Sequence, residues 1–144
     1  MSSSREAWAN DGGSDSRAAP LVLIVDDEAP IAQALSLIVE DAGYTALTAY
    51  RGGDGLELAR RFRPALVITD MMMPQIDGLA LIGRLREFAE SDGFQMPYIV
   101  AMTAGGLRFA QATGADAVLQ KPFSIEDVEL LLDRFLAPDA QDRA

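Results

Sequence analysis

Five residues hold most of the chemical capacity of this chain: Asp26, Asp27, Asp70, Thr103 and Lys121. Three are carboxylates and one is a hydroxyl. The fifth is the only lysine among 12 basic residues, the rest being arginines. Carboxylates gathered at one place repel and raise one another's pKa unless a cation sits among them. Mg2+ suits such a cluster, because it takes oxygen ligands, one or two carboxylates, and phosphate oxygens. A carboxylate beside it can attack phosphorus and form an aspartyl phosphate. The metal, an ammonium and a hydroxyl then neutralise the oxygens of the transferring group. A lysine kept where every other base is an arginine points to a site that wants a compact ammonium rather than a planar fork. The chemistry these residue types fit is phosphoryl transfer, with Asp70 as nucleophile.

Composition removes the competing chemistries. The chain has 144 residues, no histidine and no cysteine. A Ser-His-Asp triad, a thiol nucleophile, a disulfide framework and a cysteine–histidine zinc site are all excluded. A net charge of −10 argues against a nucleic-acid footprint and an anionic membrane surface. The length fits one domain, and 49% hydrophobic residues suffice for one core. Residues 1–19 lack the apolar run of a signal peptide and are expected to be a disordered leader, with Trp8 as an isolated aromatic. The domain is expected over 20–137, a short tail over 138–144, and the location is expected to be cytoplasmic, with no membrane span.

The elements that must position the five residues follow from periodicity. Leu21 to Val25 is a continuous β-branched and aliphatic run, as in a strand buried on both faces, and it ends at Asp26-Asp27. Pro30 opens a helix through about Asp41, with Ile31, Ala34, Leu35 and Ile38 on its inner face and Gly43 as its stop. Tyr44 to Tyr50 alternates as a strand, and Asp54 to Phe62 reads as a helix. Ala65 to Thr69 is a third strand, ending at Asp70. A helix follows from Leu79 to about Glu90, its stripe being Leu81, Ile82, Leu85 and Phe88. Pro97 to Met102 is a fourth strand ending at Thr103, followed by a short helix to about Thr113. Ala117 to Leu119 is a brief fifth strand leading to Lys121. Ser124 and Asp127 form a capping box for a last helix with Val128, Leu131, Leu132 and Phe135 inward. Five strands separated by helices predict a doubly wound five-stranded parallel sheet. Its crevice lies at the carboxyl ends of the strands, where the five residues fall.

At these residues the sequence resembles the receiver domain of two-component response regulators, over Pro20 to about Ala137. The matching motifs are Val25-Asp26-Asp27-Glu28, Asp70-Met71-Met72-Met73-Pro74-Gln75-Ile76-Asp77-Gly78, Met102-Thr103-Ala104 and Lys121-Pro122-Phe123. The resemblance implies a flavodoxin-like (βα)5 fold with strand order 2-1-3-4-5. It implies Asp70 as phosphoacceptor, Asp27 bound directly to Mg2+, and Asp26 holding metal-bound water or sharing the ligation. The Met72 backbone carbonyl would complete the protein ligands, Thr103 would hydrogen-bond the phosphoryl group, and Lys121 would pair with it. It further implies a cis bond before Pro122, and a histidine kinase or histidine phosphotransfer protein as donor. Met71, Met72 and Met73 are expected to fill core and loop rather than to bind a soft metal.

Three positions depart from the family pattern. Val118 stands where receivers commonly carry the Tyr or Phe that turns inward with the threonine, and Phe109 or Tyr98 would have to substitute. Thr103 to Lys121 is shorter than in typical receivers by about one helical turn, predicting a monomer or an atypical dimer. Met72 occupies a position that is often polar, predicting slow loss of phosphate. Too few residues follow Leu136 to form an output domain, so signalling is expected to pass through an unidentified downstream protein, not direct DNA binding. The rival expectations are a phosphorylation-independent binding module and an Mg2+-dependent phosphohydrolase using an aspartyl phosphate. Met72, where such hydrolases carry a second acid, weighs against the latter.

Overall fold

The computed structural model describes residues 20–105 and 114–137. In chain order the elements are β1 (Leu21–Val25), α1 (Ala29–Asp41), β2 (Thr45–Ala49), α2 (Gly52–Phe62), β3 (Leu66–Asp70), α3 (Gly78–Asp92), β4 (Tyr98–Thr103), β5 (Ala117–Gln120) and α4 (Ile125–Leu136). All strand pairs are parallel, in the order β2-β1-β3-β4-β5. This is the flavodoxin-like arrangement the sequence predicts, with four helices among the described residues. The short helix expected up to Thr113 lies outside them, as do Phe109, the leader and the tail.

Alternation along the central strands makes two cores. Val22, Ile24, Ile68, Val100 and Met102 face α1 and α4, where Ala32, Leu35, Val39, Val128 and Leu132 meet them. Leu23, Val25, Val67, Ile99 and Ala101 face α2 and α3, against Leu56, Ala59, Leu81, Ile82 and Leu85. Both faces of β1 and β3 are therefore dry, which is why their sequences read as unbroken apolar runs.

The inner face of α1 differs from its predicted one. Ala32, Leu35 and Val39 are buried, Ile31 and Ile38 flank them, and Ala34 is exposed. Both phases share Leu35, so a periodicity of 3.6 residues left the face ambiguous by about one position. The helix ends follow local chemistry. Asp77 caps α3 by accepting from the Ala80 amide at 2.9 Å. Ser124 and Asp127 form the reciprocal capping box of α4, each bond being 3.0 Å.

Candidate functional site

Parallel pairing carries the ends of β1, β3, β4 and β5 to one pole. Asp26 follows β1 and is fully buried. Its Oδ1 accepts the Glu28 amide at 2.9 Å, and its Oδ2 accepts from Lys121 Nζ at 3.0 Å. Asp70 closes β3 with only 6% of its surface exposed. Its Oδ1 accepts the Met72 amide at 3.3 Å, and its Oδ2 lies 3.5 Å from Lys121 Nζ. Asp27 is exposed, and among the described residues its carboxylate has no hydrogen-bond or ion-pair partner. Asp26, Asp27 and Asp70 each offer an oxygen within 4.8 Å of the other two.

Lys121 is the hub of this cluster. Its amide donates to the Thr103 carbonyl at 2.8 Å, which places it directly beyond β5, and the Lys121–Pro122 bond is cis as predicted. The ammonium reaches Asp26, Asp70 and, at 3.8 Å, Glu28. Burial pulls the lysine pKa down, but the hydrogen bond and charge of Asp26, with the charges of Asp70 and Glu28, more than offset it and leave the pKa raised. Burial pushes the Asp70 carboxyl up and the charge of Asp26 adds to this, while Lys121 and the Met72 amide oppose. Asp70 is thus an acid whose anion is disfavoured by burial and held beside a cation.

The residues expected at the site are therefore together, with two qualifications of detail. The Thr103 hydroxyl is turned toward the next loop: it bonds the Gly105 carbonyl and accepts the Gly105 amide at 3.2 Å. Met72 meets Asp70 through its amide, while its side chain is 72% exposed. Met71 and Met73 are buried in the core facing α2 and α3, as expected of packing methionines.

One expectation is corrected. Tyr98 begins β4, whereas Thr103 ends it, so about 16 Å of strand separates them. Tyr98 packs instead on Phe135 at 4.9 Å and cannot replace the aromatic missing at Val118. Val118 itself pairs with Ala101 and packs into the α2/α3-side core.

Other positions emerge only from the structure. Gln75 adopts a left-handed φ of 65° in the loop after β3, a turn that brings Asp77 to its capping position. Gly78 lies so close to the Asp70 carbonyl and to Met71 that a Cβ would stand 2.5 Å from that oxygen. Gly52, at the start of α2, leaves room for Ile76 of the same loop. A run of Gly52-Gly53-Asp54-Gly55 opening a helix was the available signal, since glycines there cost helix stability without a packing reason.

Three clustered carboxylate oxygens are hard donors and fit Mg2+ in kind. Both oxygens of Asp26 already hold protein donors, whereas Asp27 has neither engaged. With a buried, cation-backed carboxylate in Asp70, the arrangement can present an oxygen nucleophile to an electrophilic phosphorus.

The comparisons with known proteins agree with this geometry. Residues 22–133 match the family model of the response regulator receiver domain. The Mycobacterium tuberculosis protein named "Probable transcriptional regulatory protein TcrX" is 38% identical over 80% of this chain and 49% of its own length. Response regulator Rre1 of Synechocystis is 33% identical over 81% of this chain and 51% of its own length. The chain thus spans about half the length of these relatives. Among solved structures, the Vibrio cholerae chemotaxis protein CheY4 superposes with a TM-score of 0.72 at 30% identity, covering 83% of this chain and all of that one. The receiver domain of Francisella response regulator 1452 gives 0.67 at 29% identity, covering 80% and 98%. By sequence model, relatives and fold together, this chain belongs to the response regulator receiver domain family.

Proposed function

We propose that this chain is a phosphorylation-activated switch in which Asp70 accepts a phosphoryl group from a histidine kinase or a histidine phosphotransfer protein. The observation that carries the proposal is the convergence of Asp26, Asp27 and Asp70 around the single ammonium of Lys121. An Asp70 carboxylate oxygen attacks phosphorus, the bond from phosphorus to the donor nitrogen breaks, and the nitrogen keeps the electron pair. The 144 residues of this chain include no histidine that could serve as the donor.

Mg2+, when bound, supplies positive charge against the phosphoryl oxygens. Asp27, whose oxygens have no partner among the described residues, would bind it directly, with Asp70 as the second carboxylate and the Met72 carbonyl as the third protein ligand. Asp26, with both oxygens occupied, would hold the cation only through water, and it keeps Lys121 aimed at the site. Lys121 then pairs with the phosphoryl group. Thr103 exchanges its loop partner Gly105 for a phosphoryl oxygen, which moves the loop beyond β4. The output is protein contact or onward phosphotransfer in the cytoplasm. A receiver fold is in general regulatory, and the chemistry proposed here is confined to the domain's own phosphorylation and dephosphorylation.

The test is incubation of the full chain with acetyl phosphate and Mg2+, wild type against Asp70→Ala, read by intact mass. One phosphoryl adduct that requires both Asp70 and Mg2+ is expected. Val118, which removes the usual aromatic partner of Thr103, favours a second function, protein binding without phosphorylation. Absence of an Asp70-dependent adduct from both acetyl phosphate and the cognate kinase would select it.

A further inference from the structure

Lys121 stands at the end of β5, an edge strand of four residues that pairs only with β4. The register runs from Val100 opposite Ala117 to Thr103 opposite Gln120. Of the four side chains only Leu119 is buried, so packing specifies this register weakly. One residue before the strand, Asp116 grips Ile99 twice. Its amide donates to the Ile99 carbonyl at 2.8 Å, and its Oδ2 accepts the Ile99 amide at 2.7 Å. The carboxylate takes the place of a ladder carbonyl, because the chain turns at Gly114, whose φ is 81°. Ile99 is only 2% exposed, so its amide has little access to water once that acceptor is withdrawn.

We infer that Asp116 is the positioning residue of Lys121: by fixing β5 on β4, it sets the ammonium between Asp26 and Asp70. Within two residues either way, only the observed register satisfies the Ile99 amide from a side chain. A shift by one would bring Ala115 or Ala117 opposite Ile99, and a shift by two would bring Gly114 or Val118. None of these four residues has a side-chain acceptor. With Asp116 in place the far end of the strand is set as well. The Lys121 amide meets the Thr103 carbonyl at 2.8 Å, and the ammonium stands 3.0 Å from Asp26 and 3.5 Å from Asp70. A slip of one residue moves the chain by about 3.3 Å and turns every side chain to the other face. That displacement is as large as the ion-pair distances themselves, and the change of face points the lysine stem away from the crevice. Asp116 lies at the opposite end of β5 from the carboxylates and acts on them only through the strand. The consequence for phosphorylation rests on the switch proposed above, whereas the placing of Lys121 does not.

Because Lys121 is the only lysine, the surroundings of its amine can be read chemically. Brief treatment of the full chain with acetic anhydride, followed by peptide mass mapping, separates acetylation at Lys121 from that at the amino terminus. Asp116→Ala is expected to raise the rate of Lys121 labelling several-fold. It is also expected to slow Asp70 phosphorylation by acetyl phosphate and Mg2+ by a similar factor. Asp116→Asn keeps an acceptor oxygen at the same reach and is expected to restore both rates to near those of wild type. Leu56→Ala opens the core at α2 and is expected to lower the urea midpoint while leaving Lys121 labelling slow. Unchanged labelling in Asp116→Ala would overturn the inference. So would equally raised labelling in Asp116→Asn, which would make the charge and not the hydrogen bond responsible. Equally raised labelling in Leu56→Ala would overturn it too, by reducing Asp116 to a part in general stability. Labelling as expected, in a chain that forms no Asp70 adduct, would support the positioning role and overturn the switch.

Discussion

The two ends of this sheet handle charge in opposite ways. At the carboxyl ends of the strands, Asp26 and Asp70 are almost out of solvent and depend on one ammonium that touches both. At the amino ends, Arg60, Arg61 and Arg63 are exposed, and the described structure gives them aromatic faces instead of counter-ions. A buried charge that loses its partner retains its desolvation cost, whereas an exposed one is recovered by water. The same kind of substitution should therefore cost much at one pole and little at the other.

The largest effect is expected from Lys121→Met. It leaves the fully buried Asp26 with only the Glu28 amide, and should destabilise the Mg2+-free chain by about 3 kcal/mol. Urea unfolding measures this, and adding Mg2+ should narrow the gap, because the variant lacks the ammonium that competes for Asp26 and Asp70 and so gains more from the cation than wild type does. A Lys121→Arg chain should keep most of the stability yet lose switching, since the planar fork cannot occupy the point between Asp26 and Asp70. Next comes Gly78→Ala. Its Cβ would press on the Asp70 carbonyl and on Met71, so about 2 kcal/mol of strain is expected, together with slower acceptance of phosphate at Asp70. A normal melting curve with normal phosphorylation would show that this backbone yields more easily than its packing implies.

The contrast between the poles also explains what was readable in advance. The carboxyl pole was legible because its residue types are rare and sit directly after strands whose apolar runs announce themselves. Asp26, Asp27, Asp70, Thr103 and Lys121 needed only strand order to be placed together. What periodicity does not encode is local contact geometry. The left-handed Gln75, the closeness of Gly78 and Gly52 to neighbouring backbone, and the exposure of Ala34 depend on how elements meet. Tyr98 was misplaced for a related reason: side-chain type suggested a partner for Thr103, while strand direction puts it at the other pole. The arginine–aromatic stacks were hidden too, because Phe88 and Phe94 meet α2 only through tertiary packing.

A smaller effect, of opposite sign, is expected from Asp70→Asn. The folded pKa of Asp70 is raised, by burial first and by Asp26 second. Its favourable contribution to stability is therefore present below the unfolded carboxylate pKa, near 3.9, and is lost as pH rises through the folded value. Asparagine removes the carboxylate whose anion burial and Asp26 disfavour. In EDTA the variant should be more stable than wild type at neutral pH, with the difference shrinking as pH falls toward the unfolded carboxylate range. Equal stability at both pH values would mean that Lys121 fully compensates Asp70. Met72→Asn should leave stability unchanged, because that side chain is exposed, but should speed decay of the aspartyl phosphate, read by intact mass over time.

The smallest expected effect lies at the amino pole, in Arg63→Gly. Three contributions nearly cancel. Glycine relieves a left-handed conformation that costs other residues about 1 kcal/mol. It also loosens the unfolded chain, which costs about 0.5–1 kcal/mol, and forfeits the guanidinium stack on Phe94, worth about 0.5–1 kcal/mol. Unfolding should therefore shift by no more than about 1 kcal/mol, against about 3 kcal/mol for Lys121→Met. A larger loss would mean that Arg63 is as structural as Lys121 and that the two poles do not differ in kind. A near-zero shift would show that an exposed guanidinium on an aromatic face is recovered by water, as the buried Lys121–Asp26 pair is not.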